Sequence, residues 1–397
     1  MNLPFFIARR LGYKGRVVTA AVAVSFLVVI IAIAVSAGFR YEIRGGLSAL
    51  TGDIQLTMAD INYLDESSPV NASQTYLSAV EEVEGVKGVS PVIYRAGIVK
   101  HDDEIYGVMI KGVEGGVRSA TGADVSDTVA LAVSIPSALA EKAGLRPGDK
   151  LLTYFVGDKV KVRQFNVADI FEPLVRTDDR HLVFADISDM QRLNGWTENE
   201  TTMFEVAVED DYKDRSKMDT VTYHILDAVL DNIAEEDDFL HPVSSVRRFP
   251  QIFEWLALID FNVYFVLMLM IAVAGVNMIS GLLIMLFEHI STIGLLKSLG
   301  MRNAEIMKVF LVRAAGTVFK GMAIGNVIAF AFCFIQRTTH MIKLDPVNYF
   351  VSYVPVHLNV MDVIVADAVA FTAIMLLLIL PSLFVLRIDP SKTMKMD

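Results

Sequence analysis

Four apolar stretches dominate the hydropathy pattern: Val17 to Ala37, Val263 to Phe287, Ala314 to Ile335 and Val363 to Leu386. Each has about 20 or more residues, the length a helix needs to cross a hydrocarbon core of about 30 Å. Residues 38–262 are polar and patterned quite differently. Asp53 to Thr57 and Phe204 to Val208 alternate in polarity, as half-buried strands do. Val86 to Tyr94, Gly97 to Lys100, Tyr106 to Lys111, Leu151 to Val156, Lys159 to Ile170 and His181 to Ala185 also read as strands. Helical spacing marks Ser73 to Val83 with Ser73 as N-cap, Pro136 to Ala143 ended by Gly144, and Val221 to Ile233. His101 to Glu104 and Arg146 to Asp149 read as turns.

The predicted fold class is an α-helical membrane protein with four transmembrane helices. A large α+β extracytoplasmic domain lies between helices 1 and 2. The expected division is an amphipathic N-terminus (1–16), spans at 17–37, 263–287, 314–335 and 363–386, a cytoplasmic loop (288–313), an outer loop (336–362) and a tail (387–397). Inside the outer domain (38–262), a β-rich segment at about 126–190 reads as an insertion into a first subdomain. The first apolar run exceeds the about 7–15 residues of a signal peptide's apolar h-region, although small residues at Ser36, Ala37 and Gly38 leave cleavage open.

Charge sharpens this division. Residues 39–262 hold 21 Lys+Arg against 39 Asp+Glu, and the remainder holds 14 against 7. Arg9, Arg10, Lys14 and Arg16 precede the first span. Lys297, Arg302, Lys308 and Arg313 lie between the second and third, and Arg387, Lys392 and Lys395 follow the fourth. The positive-inside rule puts all three clusters in the cytoplasm and the acidic domain outside. An acidic domain offers no nucleic-acid face.

Catalytic and metal motifs are missing. No Gly-x-x-x-x-Gly-Lys-Ser/Thr loop, His-Glu-x-x-His or Gly-x-Ser-x-Gly occurs. The seven histidines are scattered, and the acidic run Glu235 to Asp238 reads as a solvated loop. The expectation is therefore no catalytic residue, no metal site and no cofactor in this chain. Cys333 is the only cysteine, so no internal disulfide forms.

The loop after the second span carries the sharpest motif, Glu288-His-Ile-Ser-Thr-Ile-Gly-Leu-Leu-Lys-Ser-Leu-Gly-Met301 followed by Arg302 to Ile306. It resembles the signature of the FtsX-like and MacB-like permeases of ABC transporters. Val273 to Ser280, Phe350 to Leu358, Ile388 to Lys392 and Phe5 to Leu11 are similar to segments of that group, most of all its lipoprotein-releasing (Lol-type) branch. The one-plus-three helix layout is also the group's layout.

The resemblance implies a permease subunit in the bacterial inner membrane, its large domain in the periplasm. An ABC ATPase partner binds ATP and Mg. A second permease copy or paralogue, lipoprotein cargo, a periplasmic carrier and membrane lipid complete the expected partners. The loop helix is expected to couple to the ATPase through Glu288, Ile293, Gly294, Leu296, Lys297, Leu299, Gly300 and Met301. Ile290, Ile293, Leu296, Leu299 and Gly300 are assigned one face, with Lys297 and Ser298 toward water. Phe26, Val29, Ile33, Phe261, Phe265, Met268 and Leu269 are the expected cargo-facing set. Asn277, Gly316, Lys320, Gly321, Gly325 and Asn326 are expected to serve helix packing. Lys320 either reaches back to the cytoplasmic surface or pairs with an acid at a permease dimer interface. The alternatives are a MacB-like efflux or stress-response permease, an FtsX-like scaffold that activates a cell-wall hydrolase, and a sensor.

Overall fold

The computed structural model describes residues 7, 15–58, 69–101, 104–122, 130–157, 160–173 and 181–383. The expectations for Phe5 to Leu11 (Ile7 apart), for Ile388 to Lys392, and for the basic residues Arg9, Arg10, Lys14, Arg387, Lys392 and Lys395 lie outside the described residues. The chain divides into a helical unit (residues 1–41, 255–343 and 353–397) and a sheet unit (42–254 and 344–352).

The long helices are α1 (Arg16–Thr51), α8 (Pro250–Glu288), α10 (Asn303–Thr339) and α12 (Val360–Ser382). All four are long and apolar enough to cross a membrane. The first three run well past their apolar cores: α1 continues through Arg40, Glu42 and Arg44, and α8 begins at Pro250, before its apolar run. Apolar length alone therefore underestimates them. The helical core gathers Val22 and Phe26 of α1, Ala274 to Leu286 of α8, Ile306 to Val318 of α10 and Ala370 to Leu378 of α12.

The sheet unit holds β1 (Ile54–Thr57), β2 (Val70–Asn71), β3 (Val86–His101), β4 (Glu104–Val113), β5 (Ala132–Pro136), β6 (Lys150–Phe155), β7 (Lys161–Phe171), β8 (His181–Asp186), β9 (Glu200–Thr201), β10 (Met203–Val208) and β11 (His241–Ser244). Its short helices are α2 (Leu77–Glu81), α3 (Gly116–Thr121), α4 (Ser137–Ala143), α5 (Ile187–Asn194), α6 (Arg215–Asn232), α7 (Ser245–Arg248) and α11 (Pro346–Tyr349). The nine-stranded sheet has the order β11-β1-β10-β3-β4-β8-β5-β7-β6, and β6 also pairs with β3.

That last pairing closes β3, β4, β8, β5, β7 and β6 into a six-stranded barrel. β3 is shared: Val86 to Val92 pair with β10 in the open sheet, while Ile98 and Val99 pair with β6. Gly97 sits at this crossing, where an added Cβ would lie 2.9 Å from Thr153 Cγ2. A glycine inside a strand marks such a close approach. The two strands expected at Val86 to Tyr94 and Gly97 to Lys100 are therefore one. The segment expected as an insertion at 126–190 does not stand alone, since its strands complete a barrel with β3 and β4. Ile93, Val108, Ile110, Val133, Leu151, Phe165 and Val183 belong to the core built on it.

The helix expected from Ser73 starts only at Leu77, with Tyr76 at its N-cap position. The Ser73 amide donates instead to Asn71 Oδ1 at 2.8 Å, making a local turn. The acidic run is not wholly solvated either. Asp238 accepts from the Asn71 amide and Gln74 Nε2, each at 3.0 Å. Asp237 accepts from the amides of Thr75 (3.1 Å) and Ala234 (2.8 Å). Burial works against the Asp237 charge, but the hydrogen bond donated by the Thr75 hydroxyl, together with these two amides, prevails and holds its carboxyl below the usual range.

Candidate functional site

The loop after α8 contains α9 (Ile290–Ser298). His289 separates the two helices with φ −111° and ψ 23°. α9 ends in a Schellman motif: Gly300 takes φ 87°, its amide donates to Lys297 O, and the Met301 amide donates to Leu296 O, both at 3.0 Å. Leu296 and Met301 then pack on one apolar cluster. α10 follows at once, and the Glu305 carboxylate accepts from the Arg302 amide at 3.3 Å.

The faces of α9 differ from the expected ones. Ile293 and Gly294 are buried, and Ile290 and Leu296 pack on the helical core. Leu299 is 75% exposed and so does not share their face. Leu295 is 53% exposed beside Ser291 and Thr292. Glu288 and Gly300 are exposed, while Lys297 and Met301 are half-buried. Gly294 lies inside the helix, and Gly300 alone makes the turn. A partner approaching this helix meets Leu295 and Leu299.

The expected cargo set separates into two. Phe26 and Val29 are buried in the bundle, and Ile33 is half-buried. The crevice lined by Phe26, Val29 and Ala274 measures about 10 Å³, the scale of one water. Phe261, Phe265, Met268 and Leu269 are exposed on α8. Phe26 and Val29 are turned inward because α1 must seat against α10, so the seven residues line no common surface in this chain.

Gly321 and Gly325 are where α1 and α10 touch. A Cβ on Gly325 would lie 2.5 Å from Ala23 O, and one on Gly321 would lie 2.7 Å from Val22 Cγ1. Gly316 has open space around it and takes no part. Asn326 Nδ2 donates to Asp367 Oδ2 at 2.5 Å, joining α10 to α12. Asn277 is half-buried, and Lys320 is exposed on α10. No ion pair forms to Lys320 among the described residues.

Two further arrangements have no counterpart in the sequence reading. Near the end of the first apolar run, Asp260 Oδ1 of α8 accepts from Arg40 NH1 and Ser36 Oγ of α1, each at 2.6 Å. Alongside, the His357 amide donates to Ala34 O at 3.0 Å, and its ring stacks on Tyr41. A Cβ on Gly38 would lie 2.3 Å from Pro355 O. In the sheet unit, a buried network holds the carboxyl end of α1. Lys111 Nζ donates to Leu50 O (3.0 Å) and to Glu205 Oε2 (2.7 Å). Tyr94 OH donates to Glu205 Oε1 (2.6 Å) and lies 3.0 Å from Leu50 O. Gln55 Nε2 reaches Glu205 Oε1 at 3.3 Å, and Arg248, just before α8, donates to Gln55 Oε1. Gly52, at φ 68°, ends α1 against the Glu205 side chain. These partners are spread over about 200 positions of sequence, and no local motif announces them.

Residues 264–390 match the FtsX-like permease C-terminal family. Their match takes in α9 with its Schellman turn, α10 and α12. The whole chain is similar to lipoprotein-releasing transmembrane proteins. It is 23% identical to the lipoprotein-releasing system transmembrane protein LolC of Neisseria meningitidis serogroup B, over 95% of this chain and 93% of that one. It is 20% identical to LolE of Haemophilus influenzae, over 99% of both. Among solved structures, the periplasmic region of MacB from Actinobacillus actinomycetemcomitans covers 52% of this chain and 95% of its own, at 12% identity and TM-score 0.31. The extracellular domain of the transporter YknZ from Gram-positive bacteria covers 48% and 99%, at 14% identity and TM-score 0.30.

Proposed function

We propose that this chain is a permease subunit of an ABC transporter that draws lipid-anchored proteins from the outer leaflet of the bacterial inner membrane. In this reading the sheet unit is periplasmic, and a separate ATPase binds ATP and Mg on the cytoplasmic side. The permease pairs with a second copy or a paralogue, and the extracted protein passes to a periplasmic carrier. The chain itself performs no covalent chemistry. The observation that carries the reading is end-to-end similarity to two lipoprotein-releasing transmembrane proteins.

The physical task is transfer of force. Withdrawing an acyl chain from lipid costs about 0.8 kcal/mol per CH₂, so an ATPase must do the work. Leu295 and Leu299 offer that ATPase an apolar contact on α9. The inward residues Ile293 and Leu296 tie α9 to the helical core, so movement of α9 carries α8 and α10 with it. Depleting the protein in its host tests the reading. Lipoproteins should accumulate in the inner membrane. Normal lipoprotein sorting after depletion would overturn it.

A further inference from the structure

Between β7 and α5 lies a cavity of about 260 Å³. Its apolar wall is Phe165, Leu193, Leu131 and Ala130, and its charged groups are Arg163, Arg192 and Asp189. The wall is held in an unusual backbone conformation: Leu131 has φ 53°, a left-handed value rare for a side chain of its size. Asn166 clamps it there. Its amide donates to Leu131 O at 2.9 Å, and its Nδ2 donates to Ala130 O at 2.7 Å. Strained backbone held by neighbours concentrates at functional sites.

The charges do not balance. Arg192 donates to Asp189, so that guanidinium and carboxylate satisfy one another. Among the described residues, Arg163 NH1 reaches only the carbonyl of its own neighbour, Val162, at 3.2 Å. One positive charge is left beside an apolar wall. Two buried polar side chains border the lining and lack hydrogen-bond partners among the described residues. They are Thr153, the cross-strand partner of Arg163, and Asn194, which follows Leu193. Such orphans in a folded protein call for an explanation.

We infer that this cavity binds a small organic carboxylate. The carboxylate pairs with the planar fork of Arg163, and its apolar body lies against Phe165, Leu131 and Leu193. One uncompensated guanidinium matches one negative charge, and a multiply charged anion would place surplus charge beside Asp189. The volume falls just below the range of about 300–1,000 Å³ for drug-sized ligands, so the ligand is compact.

The test uses the full chain in nanodiscs and isothermal titration with three probes: benzoate, its neutral isostere benzamide, and inorganic phosphate. Benzoate should bind saturably, with benzamide and phosphate each about tenfold weaker or more. Arg163→Gln should weaken benzoate by at least about tenfold, and Arg163→Lys by less, because the ammonium keeps the charge and loses the fork. Arg163 is exposed, so both variants should keep the parent's thermal unfolding profile. Equal affinity for benzamide, undiminished benzoate binding in Arg163→Gln, or no saturable benzoate heat up to ~10 mM would each overturn the assignment. None of these outcomes depends on the transport reading.

Discussion

Lys111 and Glu205 meet 2.7 Å apart in the sheet unit, their side chains only 4% and 12% exposed. Both reach the end of α1, Lys111 by donating to Leu50 O and Glu205 by packing on Gly52. Removing one partner leaves a buried charge unpaired, which costs about 3–5 kcal/mol. Lys111→Met or Glu205→Leu alone should therefore lower thermal stability by roughly 2–4 °C per kcal/mol lost. The double variant should lose less than the two single losses together. Strict additivity would show that the pair is not coupled.

The glycines of α10 give a matched comparison. Gly325→Ala should force α1 and α10 apart, since the new Cβ would meet Ala23 O at 2.5 Å. Overpacking of this kind costs about 1–3 kcal/mol. Gly316→Ala meets nothing and should be neutral or slightly stabilising. Thermal unfolding of the two variants in the same detergent measures the difference. Gly38→Ala should resemble Gly325→Ala, because Pro355 O occupies the space a Cβ needs.

On α9 the two faces should respond separately. Ile293→Asp buries a carboxylate in the helical core and should reduce the yield of folded protein. Leu295→Asp and Leu299→Asp change exposed side chains. They should leave yield and thermal stability intact while abolishing co-purification of the proposed ATPase. Pull-down with normal ATPase recovery from both leucine variants would remove α9 as the docking element.

His181 opens β8, and burial followed by the nearby Lys142 charge lowers its pKa below 6.5. Protonation therefore favours the unfolded chain. This contribution is fully present above about pH 6.5 and is lost as pH falls through the lowered folded value. Melting curves at pH 7.5 and 5.5 should show a smaller drop for His181→Gln than for the parent. Equal drops would mean that His181 does not titrate on unfolding.

Much of the helical unit is legible in the sequence, because twenty apolar residues in a row have few other fates. The loop motif was legible for the same local reason: Gly300 five residues beyond Leu295 marks a helix end. The direction of Leu299 was not, since the Schellman turn carries it off the helical face on which simple periodicity places it. Gly321 and Gly325 were readable as a packing pair, but Gly316 reads alike and packs on nothing. The barrel was hidden because its closure depends on β3 pairing with β6, some 55 residues away. The Leu50–Lys111–Glu205 joint was hidden more deeply. Lys111 and Glu205 read as ordinary surface residues until the fold brings them together beside Leu50. Ser73 does not cap the helix because its hydroxyl donates to Asn199 Oδ1 at 2.7 Å instead.

The most direct measurement is release from reconstituted membranes. Proteoliposomes holding this chain, its ATPase and an acylated protein are mixed with ATP and the soluble carrier, and the acylated protein in the supernatant is quantified. ATP-dependent release is expected from the intact complex, and Leu295→Asp and Leu299→Asp should abolish it. Retention of the acylated protein in the membrane by the intact complex, while ATP is being hydrolysed, would contradict it.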